Sequence, residues 1–280
     1  MPDSPYTDLD RPPLSAAALT RALVRPGSLW SSITVVDSTG STNADLARAV
    51  REGRVSEGAV LVAEAQTAGR GRLGRAWTAP PRASLTFSFV LRPTVPPARQ
   101  GWLALLTGVA AASAVRRVAE VDARLKWPND LLVGERKLAG ILAERVDDAV
   151  VVGIGLNVTL RADELPVPTA TSLAIEEAAS TDRDPLLRAV LREVERHYRD
   201  WSEHGGDPDT SGLRAAYLAG SATVGARVRV ELPGDRALTG RATGIDPFGQ
   251  LLVAPDDPAE GAERALSAGD VIHVRGAHKP

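Results

Sequence analysis

The sequence predicts an α+β protein in two parts: a larger unit in which helices alternate with strands, and a small antiparallel β-barrel at the C-terminal end. Three observations lead to this prediction. A chain of 280 residues is long enough for more than one folding unit. Apolar, β-branched runs alternate with stretches of helical periodicity as far as residue 222. From Val224 onward, apolar and polar residues alternate between glycine turns, which is typical of a small barrel.

The elements of the N-terminal half are predicted from apolar runs and from the residues that begin each helix. Ser15 can cap one helix, and Ser41 or Thr42 can cap the next, with Asp45 well placed in its first turn. Prolines among polar residues predict a disordered leader at 1–13. After the leader, the predicted order is a helix to about Val24, a strand at Ile33–Asp37, a helix to about Arg51, a buried strand at Ala59–Ala65, a loop at Gln66–Pro81 and a strand at Ser84–Leu91.

The rest of the larger unit is predicted to contain a buried helix, further strands and an amphipathic helix. The apolar run Trp102–Val115 is too short and too rich in Ala, Thr and Gly to span a bilayer, so we expect a core helix. Asp147 and Asp148 form the turn of a hairpin. The predicted elements are a helix at Pro97–Val118, strands at Ala123–Lys126, Lys137–Val146 and Ala149–Val158, and helical regions at Asp184–Trp201 and Leu213–Leu218. The domain bounds are 14–222 for the larger unit and 223–276 for the barrel, with a tail at 277–280.

Composition excludes several classes of function. Acidic and basic residues nearly cancel, 35 against 33, whereas a general nucleic-acid binder is normally strongly basic. The chain has no cysteine, so disulfides, thiolate catalysis and zinc–thiolate sites are excluded. The N-terminus lacks the cationic start and following apolar stretch of a secretory signal, so we do not expect one. We expect a soluble cytoplasmic protein without a membrane segment, and a monomer or weak homodimer.

The lysines are concentrated in one stretch of the chain. Apart from Lys279 near the C-terminus, the sequence has only Lys126 and Lys137, whereas arginine supplies nearly all other cations. An ammonium is a compact point charge on a flexible stem, while a guanidinium is a planar clamp. The two neighbouring lysines therefore indicate a site that needs an ammonium. The alternative is that they lie close together by chance.

A glycine- and arginine-rich loop, Q-T-A-G-R-G-R-L-G-R-A-W at 66–77, is the strongest local feature. Glycine lets a backbone approach a ligand closely, arginine grips phosphate, and Trp77 offers a face on which a base can stack. The pattern favours a nucleotide polyphosphate. A solvated loop and an RGG-like nucleic-acid segment are alternatives, and the spacing also matches the dinucleotide fingerprint weakly, because no helix follows.

Three further segments carry polar residues at the ends or in the middle of predicted strands. In K-W-P-N-D at 126–130, Asp130 is a candidate Mg²⁺ ligand, although an Asn-Asp turn with solvated side chains is equally compatible. In S-T-G-S-T-N at 38–43, hydroxyls at a helix start can receive a polar group, or simply cap the helix. In G-I-G-L-N at 153–157, glycines inside a strand indicate close approach of a ligand or of another part of the chain.

Taken together, these segments resemble the biotin protein ligases. The motifs S-T-N at 41–43, Q-T-A-G-R-G-R-L-G-R-A-W at 66–77, K-W-P-N-D at 126–130, K-L-A-G-I-L-A-E at 137–144 and G-I-G-L-N at 153–157 occur in the family's order and at similar spacing. The segment G-I-D-P-F-G-Q-L-L-V at 244–253 is similar to the family's SH3-like barrel. The resemblance covers roughly residues 30 to 275 and implies a mixed-sheet catalytic domain of the biotin/lipoate ligase type, with flanking helices.

The resemblance implies an ATP-dependent enzyme that makes biotinyl-5′-AMP and then passes biotin to one lysine of a biotin carboxyl carrier domain of an acyl-CoA carboxylase. The implied substrates are biotin and ATP, with Mg²⁺. The implied biotin-binding residues are Ser41, Thr42, Asn43, Gln66, Arg70, Gly71, Arg72, Lys137 and Gly140. The implied ATP-binding residues are Arg72, Arg75, Trp77, Lys126, Asn129, Asp130 and Asn157. Lys137, Arg70 and Arg72 are implied to be catalytic, and Asp130 to be a metal ligand.

The resemblance also leaves three alternative functions to be compared with that of a monofunctional biotin ligase. Some family members carry an N-terminal winged helix-turn-helix, but only about thirty residues precede the first predicted strand, so we expect a monofunctional ligase without DNA binding. A lipoate ligase shares the fold and the adenylate chemistry, yet its R-R-x-x-G-G-G-A-V motif is not found in this chain. A biotin-sensing regulator without catalysis is the alternative from a different class.

Overall fold

A computed structural model describes residues 11–232, 236–267 and 270–273. Most of the predicted leader and the predicted tail at 277–280 lie outside these ranges. Residues 11–13 are held in place, in contrast to the predicted leader. Arg11 is only 6% exposed, and its guanidinium donates to Glu164 Oε1 at 3.1 Å and to the carbonyl of Thr159 at 2.8 Å.

The helices begin where the sequence offers a capping side chain. Ser15 Oγ accepts from Ala18 N, and Ser41 Oγ accepts from Ala44 N. Each cap satisfies a backbone N–H that has no partner within the helix. The helices are α1 Ala16–Leu23, α2 Thr42–Arg51, α3 Trp102–Ala119, α4 Arg183–Glu203 and α5 Leu213–Gly220.

The larger sheet has seven strands in the order β1-β2-β3-β7-β6-β5-β4. Strands β1 and β2 are parallel, and the other neighbours are antiparallel, so the sheet is mixed as expected. Its strands are β1 Ser32–Val36, β2 Ala59–Ala63, β3 Ser84–Leu91, β4 Arg124–Lys126, β5 Asp130–Val133, β6 Arg136–Val146 and β7 Ala149–Asn157. Strand β5 was not predicted from the sequence, because four residues that follow an Asn-Asp pair resemble the exit of a turn.

The register of this sheet aligns residues from separate motifs in one row. Lys126 pairs with Asp130, Asp130 with Gly140, Gly140 with Gly155, and Gly155 with Thr86. Directly paired residues project from the same face of a sheet. Residues that are far apart in the chain therefore share one surface across five strands.

The C-terminal part is a five-stranded antiparallel sheet in the order β11-β10-β9-β8-β12. The strands are β8 Arg227–Leu232, β9 Arg236–Ile245, β10 Leu251–Pro255, β11 Arg264–Leu266 and β12 Asp270–His273. Within the described residues β11 and β12 do not pair, so the predicted barrel is not closed by hydrogen bonds. The architecture agrees with the predicted α+β class, and the boundary at about 222 stays a prediction.

Two tryptophans join this sheet to the larger unit. Trp102 Nε1 donates to the carbonyl of Pro247 at 3.0 Å, and Trp127 Nε1 donates to the carbonyl of Gly249 at 3.1 Å. The backbone N–H of Trp127 also donates to Thr223 Oγ1 at 3.1 Å. Both indoles are buried.

Helix α3 is part of the main apolar core. With the turn that precedes it, the helical stretch Pro97–Ala119 is long and apolar enough to cross a membrane, but 72% of its apolar window is buried inside the protein. This agrees with the predicted core helix.

Candidate active site

A cavity of about 720 Å³ lies over the aligned row of the larger sheet. All the site residues named from the sequence line it. They are Ser41, Thr42, Asn43, Gln66, Arg70, Gly71, Arg72, Arg75, Trp77, Lys126, Asn129, Asp130, Lys137, Gly140 and Asn157. The order of strands in the sheet brings them together, since β3, β7, β6, β5 and β4 are neighbours.

One part of the cavity is formed by the first turn of α2. The backbone N–H of Thr42 donates to Gln66 Oε1 at 2.8 Å, which fixes the orientation of the glutamine amide. Thr42 Oγ1 lies 3.1 Å from the same oxygen and 2.7 Å from Ser88 Oγ. This part is polar but uncharged, so it suits a neutral group that can form hydrogen bonds.

Asn43 is part of the cavity wall, but its side-chain amide is hydrogen-bonded to other groups of the protein. Asn43 Nδ2 donates to the carbonyl of Leu142 at 3.2 Å and to Glu144 Oε2 at 2.8 Å, and Asn43 Oδ1 accepts from Ser88 Oγ at 2.5 Å. A Cβ at Gly153 would overlap this amide. The first glycine of G-I-G-L-N therefore makes room for a side chain of the same protein.

Trp77 lies across the glycines of two neighbouring strands. A Cβ at Gly155 would overlap its indole, and one at Gly140 would come within 3.3 Å of the ring. The indole nitrogen is buried, and within the described residues it has no hydrogen-bond partner. The glycines of β6 and β7 thus form a flat seat that holds the indole at the cavity.

A carboxylate and several cations meet beside this indole. Lys137 Nζ lies 2.7 Å from Asp130 Oδ1 and 5.9 Å from the Trp77 ring centroid. The Lys137–Asp130 contact has the distance of an ion pair, while Asp130 Oδ1 is buried and accepts no hydrogen bond within the described residues. Arg72 Nη1 donates to Asn129 Oδ1 at 3.3 Å, and Asn129 Nδ2 donates to the carbonyl of Ile141 at 2.8 Å.

Two cations of the cavity, Lys126 and Arg72, are poorly solvated. Burial lowers the pKa of Lys126, the neighbouring charges of Lys137 and Arg75 lower it further, and Asp130 partly opposes them. Burial also lowers the pKa of Arg72, again with partial compensation from Asp130. Desolvation disfavours the charged form of a base. An anion that enters the cavity would restore the lost stabilisation, so the cluster is suited to phosphate or carboxylate groups.

The loop over the cavity forms a small hairpin. Gly71 N donates to the carbonyl of Arg75 at 2.7 Å, and Trp77 N donates to the carbonyl of Gly69 at 2.9 Å. At its tip, Leu73 has a φ of 56° and is 75% exposed. Two arginines of the lining, Arg70 and Arg75, are exposed on this hairpin.

Sequence reasoning missed a second wall. Pro166, Val167, Thr169 and Ala170 also line the cavity. Their segment is held by Lys137, whose N–H donates to the carbonyl of Thr169 at 2.7 Å and whose carbonyl accepts from Thr171 N at 2.9 Å. This segment contains Pro166 and Pro168 and shows neither helical nor strand periodicity, so the sequence did not indicate that it lines a cavity.

Asn157 supports that wall. Asn157 Nδ2 donates to the carbonyl of Thr171 at 2.9 Å, and the side chain is only 3% exposed. Its amide N–H therefore positions residues 169–171. The C-terminal sheet contributes Glu231, Val271 and Ile272 to the lining, and these positions gave no signal in the sequence either.

Residues 35–159 match the model of the biotin/lipoate A/B protein ligase family, and residues 223–274 match the biotin protein ligase C-terminal domain. The biotin--[acetyl-CoA-carboxylase] ligase of Mycobacterium tuberculosis is 44% identical over 275 residues, which are 96% of this chain and 100% of that protein.

Two further proteins extend the comparison. The bifunctional ligase/repressor BirA of Escherichia coli is 32% identical over 253 residues, which are 87% of this chain and 76% of that protein. The structure of the biotin protein ligase of Aquifex aeolicus in complex with biotin and ATP superposes with a TM-score of 0.72 at 28% identity, covering 88% of this chain and 100% of that one.

Proposed function

This chain belongs to the biotin protein ligase family, and from that membership we infer that it activates biotin with ATP to biotinyl-5′-AMP and then transfers biotin to a lysine of a biotin carboxyl carrier domain. Pyrophosphate leaves in the first step and AMP in the second. One observation carries the assignment of the site: the Lys137–Asp130 pair, the Trp77 indole and the uncharged group around Thr42 line the same cavity. Two substrates of different polarity can therefore meet there.

We assign the uncharged part to the fused rings of biotin. Ser41, Thr42 and Gln66 offer oxygens and an amide at the start of α2, with Asn43 behind them. Gly140 and the loop residues Arg70, Gly71 and Arg72 would border the same substrate. A urea group has both N–H donors and a carbonyl acceptor, so it matches a wall made of hydroxyl and amide groups.

We assign the charged part to the nucleotide. Trp77 would receive the adenine on its exposed face, and Lys126, Arg72 and Arg75 would meet the phosphates. Asn129 holds Arg72, and Asn157 holds the opposite wall, so both act on the nucleotide through other groups.

Lys137 would lie where the carboxylate of biotin meets the α-phosphorus. Attack of one anion on another is opposed by charge repulsion, and the negative charge grows on the phosphoryl oxygens during transfer. A cation at that point stabilises the transition state without any covalent bond to the enzyme. The loop at 70–75 would close over the mixed anhydride and exclude water, since hydrolysis there wastes ATP.

Asp130 fits a magnesium ion only as a companion of ATP. The described residues contain no group of three His, Cys, Asp or Glu side chains that would hold a metal by itself. Asp130 Oδ1 is nevertheless buried, and within the described residues its close partner is Lys137 Nζ at 2.7 Å, which suits a carboxylate that faces other cations. Magnesium is commonly held by one or two carboxylates together with substrate phosphates, and it would neutralise phosphate charge there.

A labelling assay tests the proposed function. Purified protein, ATP, Mg²⁺, biotin and a carrier domain should give a biotinylated carrier, and omission of any single component should abolish the product. Pyrophosphate release should depend on biotin and not on lipoate. A protein that binds biotin but never labels the carrier would contradict the proposal and favour a sensor.

Substitution of Gly155 by alanine tests the seat of Trp77. The added Cβ overlaps the indole, so the ring must leave the two glycines. We expect KM for ATP to rise by about tenfold or more, since a stacked base contributes roughly 1–3 kcal/mol. Gly244→Ala is the matched control, because this strand glycine meets only a Leu252 side chain at 3.7 Å. Equal KM values for ATP in both variants would contradict the proposal that Gly155 leaves room for an indole that binds the adenine.

A further inference from the structure

A chain of four side-chain oxygens leads from the cavity into the interior. In order, they are Gln66 Oε1, Thr42 Oγ1, Ser88 Oγ and Asn43 Oδ1, and the distances between successive oxygens are 3.1, 2.7 and 2.5 Å. Ser88 lies in the middle of β3, is fully buried and is not among the residues that line the cavity. It has no role in the reaction as described above.

The inner end of the chain has a fixed polarity. The two N–H bonds of Asn43 are both used, one on the carbonyl of Leu142 and one on Glu144. A carbonyl oxygen can only accept, so Asn43 must place its nitrogen toward Leu142 and its oxygen toward Ser88. Asn43 Oδ1 therefore requires the hydroxyl proton of Ser88.

The outer end is fixed as well. Gln66 Oε1 accepts the backbone N–H of Thr42 at 2.8 Å, and a backbone N–H can only donate. The glutamine amide cannot turn round without facing one donor with another. Both ends of the chain are therefore acceptors.

Three gaps between these oxygens share only two hydroxyl protons. The proton of Ser88 goes to Asn43, so the single proton of Thr42 can point to Ser88 or to Gln66 but not to both, and the shorter gap of 2.7 Å places it toward Ser88. The gap between Thr42 Oγ1 and Gln66 Oε1 is then left without a proton. Its length agrees, because 3.1 Å lies outside the usual 2.5–3.0 Å of an O–H···O bond, whereas the other two gaps lie within it.

We propose that Ser88 is a positioning residue for specificity: it takes the proton of Thr42 inward, so that Thr42 Oγ1 and Gln66 Oε1 present two acceptor oxygens to a ligand N–H. This rests on the proposed function, in which this wall receives the cyclic urea of biotin. Two acceptors 3.1 Å apart repel each other until a donor enters. The wall therefore selects an N–H and rejects a ligand oxygen at the same place.

The test compares biotin with two carbamate analogues, in each of which one ureido N–H is replaced by an oxygen. The readout is kcat/KM for pyrophosphate release, expressed as the ratio of biotin to analogue. In the wild type, one analogue should be disfavoured by on the order of 10²-fold or more, since it brings a third acceptor to the pair. In Ser88→Ala, Thr42 can turn its proton to the ligand, and the ratio for that analogue should fall at least tenfold.

Controls separate this effect from loss of structure. Because both rates come from one preparation, an unfolded fraction cancels in the ratio. Ser88→Cys keeps the volume but donates weakly, so its ratio should also fall. Ser84→Ala removes another buried hydroxyl of β3, one that donates to Asn157 at 3.4 Å, and its ratio should stay at the wild-type value.

Two outcomes would overturn different claims. A wild-type ratio retained in both Ser88 variants would refute the role of Ser88 while leaving the biotin site intact. If the wild type accepts both carbamates as well as biotin, and Thr42→Val leaves kcat/KM for biotin unchanged, the assignment of this wall to biotin fails.

Discussion

Replacing Lys137 by alanine is expected to lower kcat/KM for biotin-dependent pyrophosphate release by roughly 10²- to 10³-fold, the usual loss when one donor to a developing oxyanion is removed. Lys137 Nζ lies beside Asp130 and near the edge of the Trp77 seat, where the proposed reaction brings carboxylate and α-phosphate together. Arg72, a second cation of the lining, is held by Asn129 and is therefore less free to follow the moving charge.

Lys137→Arg should restore only part of this loss. The planar fork of a guanidinium spreads its charge and fixes its donors in one plane, so it cannot copy the compact ammonium that Lys137 places between Asp130 and Trp77. The matched control is Arg145→Ala, which removes an exposed cation from the same strand, away from the cavity, and should change kcat/KM less than threefold. Wild-type adenylation by Lys137→Arg would contradict the argument for the ammonium.

Replacing Arg183 by alanine is expected to reduce the free energy of unfolding by about 3–5 kcal/mol. Arg183 and Glu64 are each only 4% exposed, and their charged atoms lie 2.6 Å apart. Arg183 also donates to the carbonyl of Pro12 at 2.6 Å. Without Arg183, Glu64 keeps a buried charge with only the N–H of Leu14 as a described donor, at 2.6 Å.

Urea unfolding measures this effect, with two comparisons. Arg48→Ala breaks an exposed pair with Asp45 and should cost less than about 1 kcal/mol. The double change Arg183→Met with Glu64→Leu removes both charges and should cost less than Arg183→Ala alone, because no buried charge is left unpaired. If Arg183→Ala were as stable as Arg48→Ala, the prediction for the buried ion pair would be wrong.

The sequence was most informative where chemistry and spacing coincide. The start of α2 could be predicted because Ser41 is a capping residue and Asp45 follows in the first turn. The glycines at 153 and 155 inside a strand predicted a place of close approach, although only the structure shows that Asn43 and Trp77 occupy it.

The remainder depends on contacts between distant parts of the chain. Strand β5 forms because Asp130–Val133 pairs with both β4 and β6, and its own residues do not indicate that. The alternation of Ser84, Thr86 and Ser88 with apolar neighbours was a usable signal. In a strand buried on both sides, a polar row marks a face that meets other polar groups.

Trp127 connects the cavity to the C-terminal part of the chain. It follows Lys126 directly, and its indole and backbone N–H are held by two residues outside the strands of the C-terminal sheet: Gly249, between β9 and β10, and Thr223, before β8. A chimera that exchanges this sheet for that of another ligase must therefore preserve both acceptors, or the lysine loses its anchor. A fragment cut at residue 222 would lack both acceptors of this buried side chain, so the two parts should be expressed and engineered together.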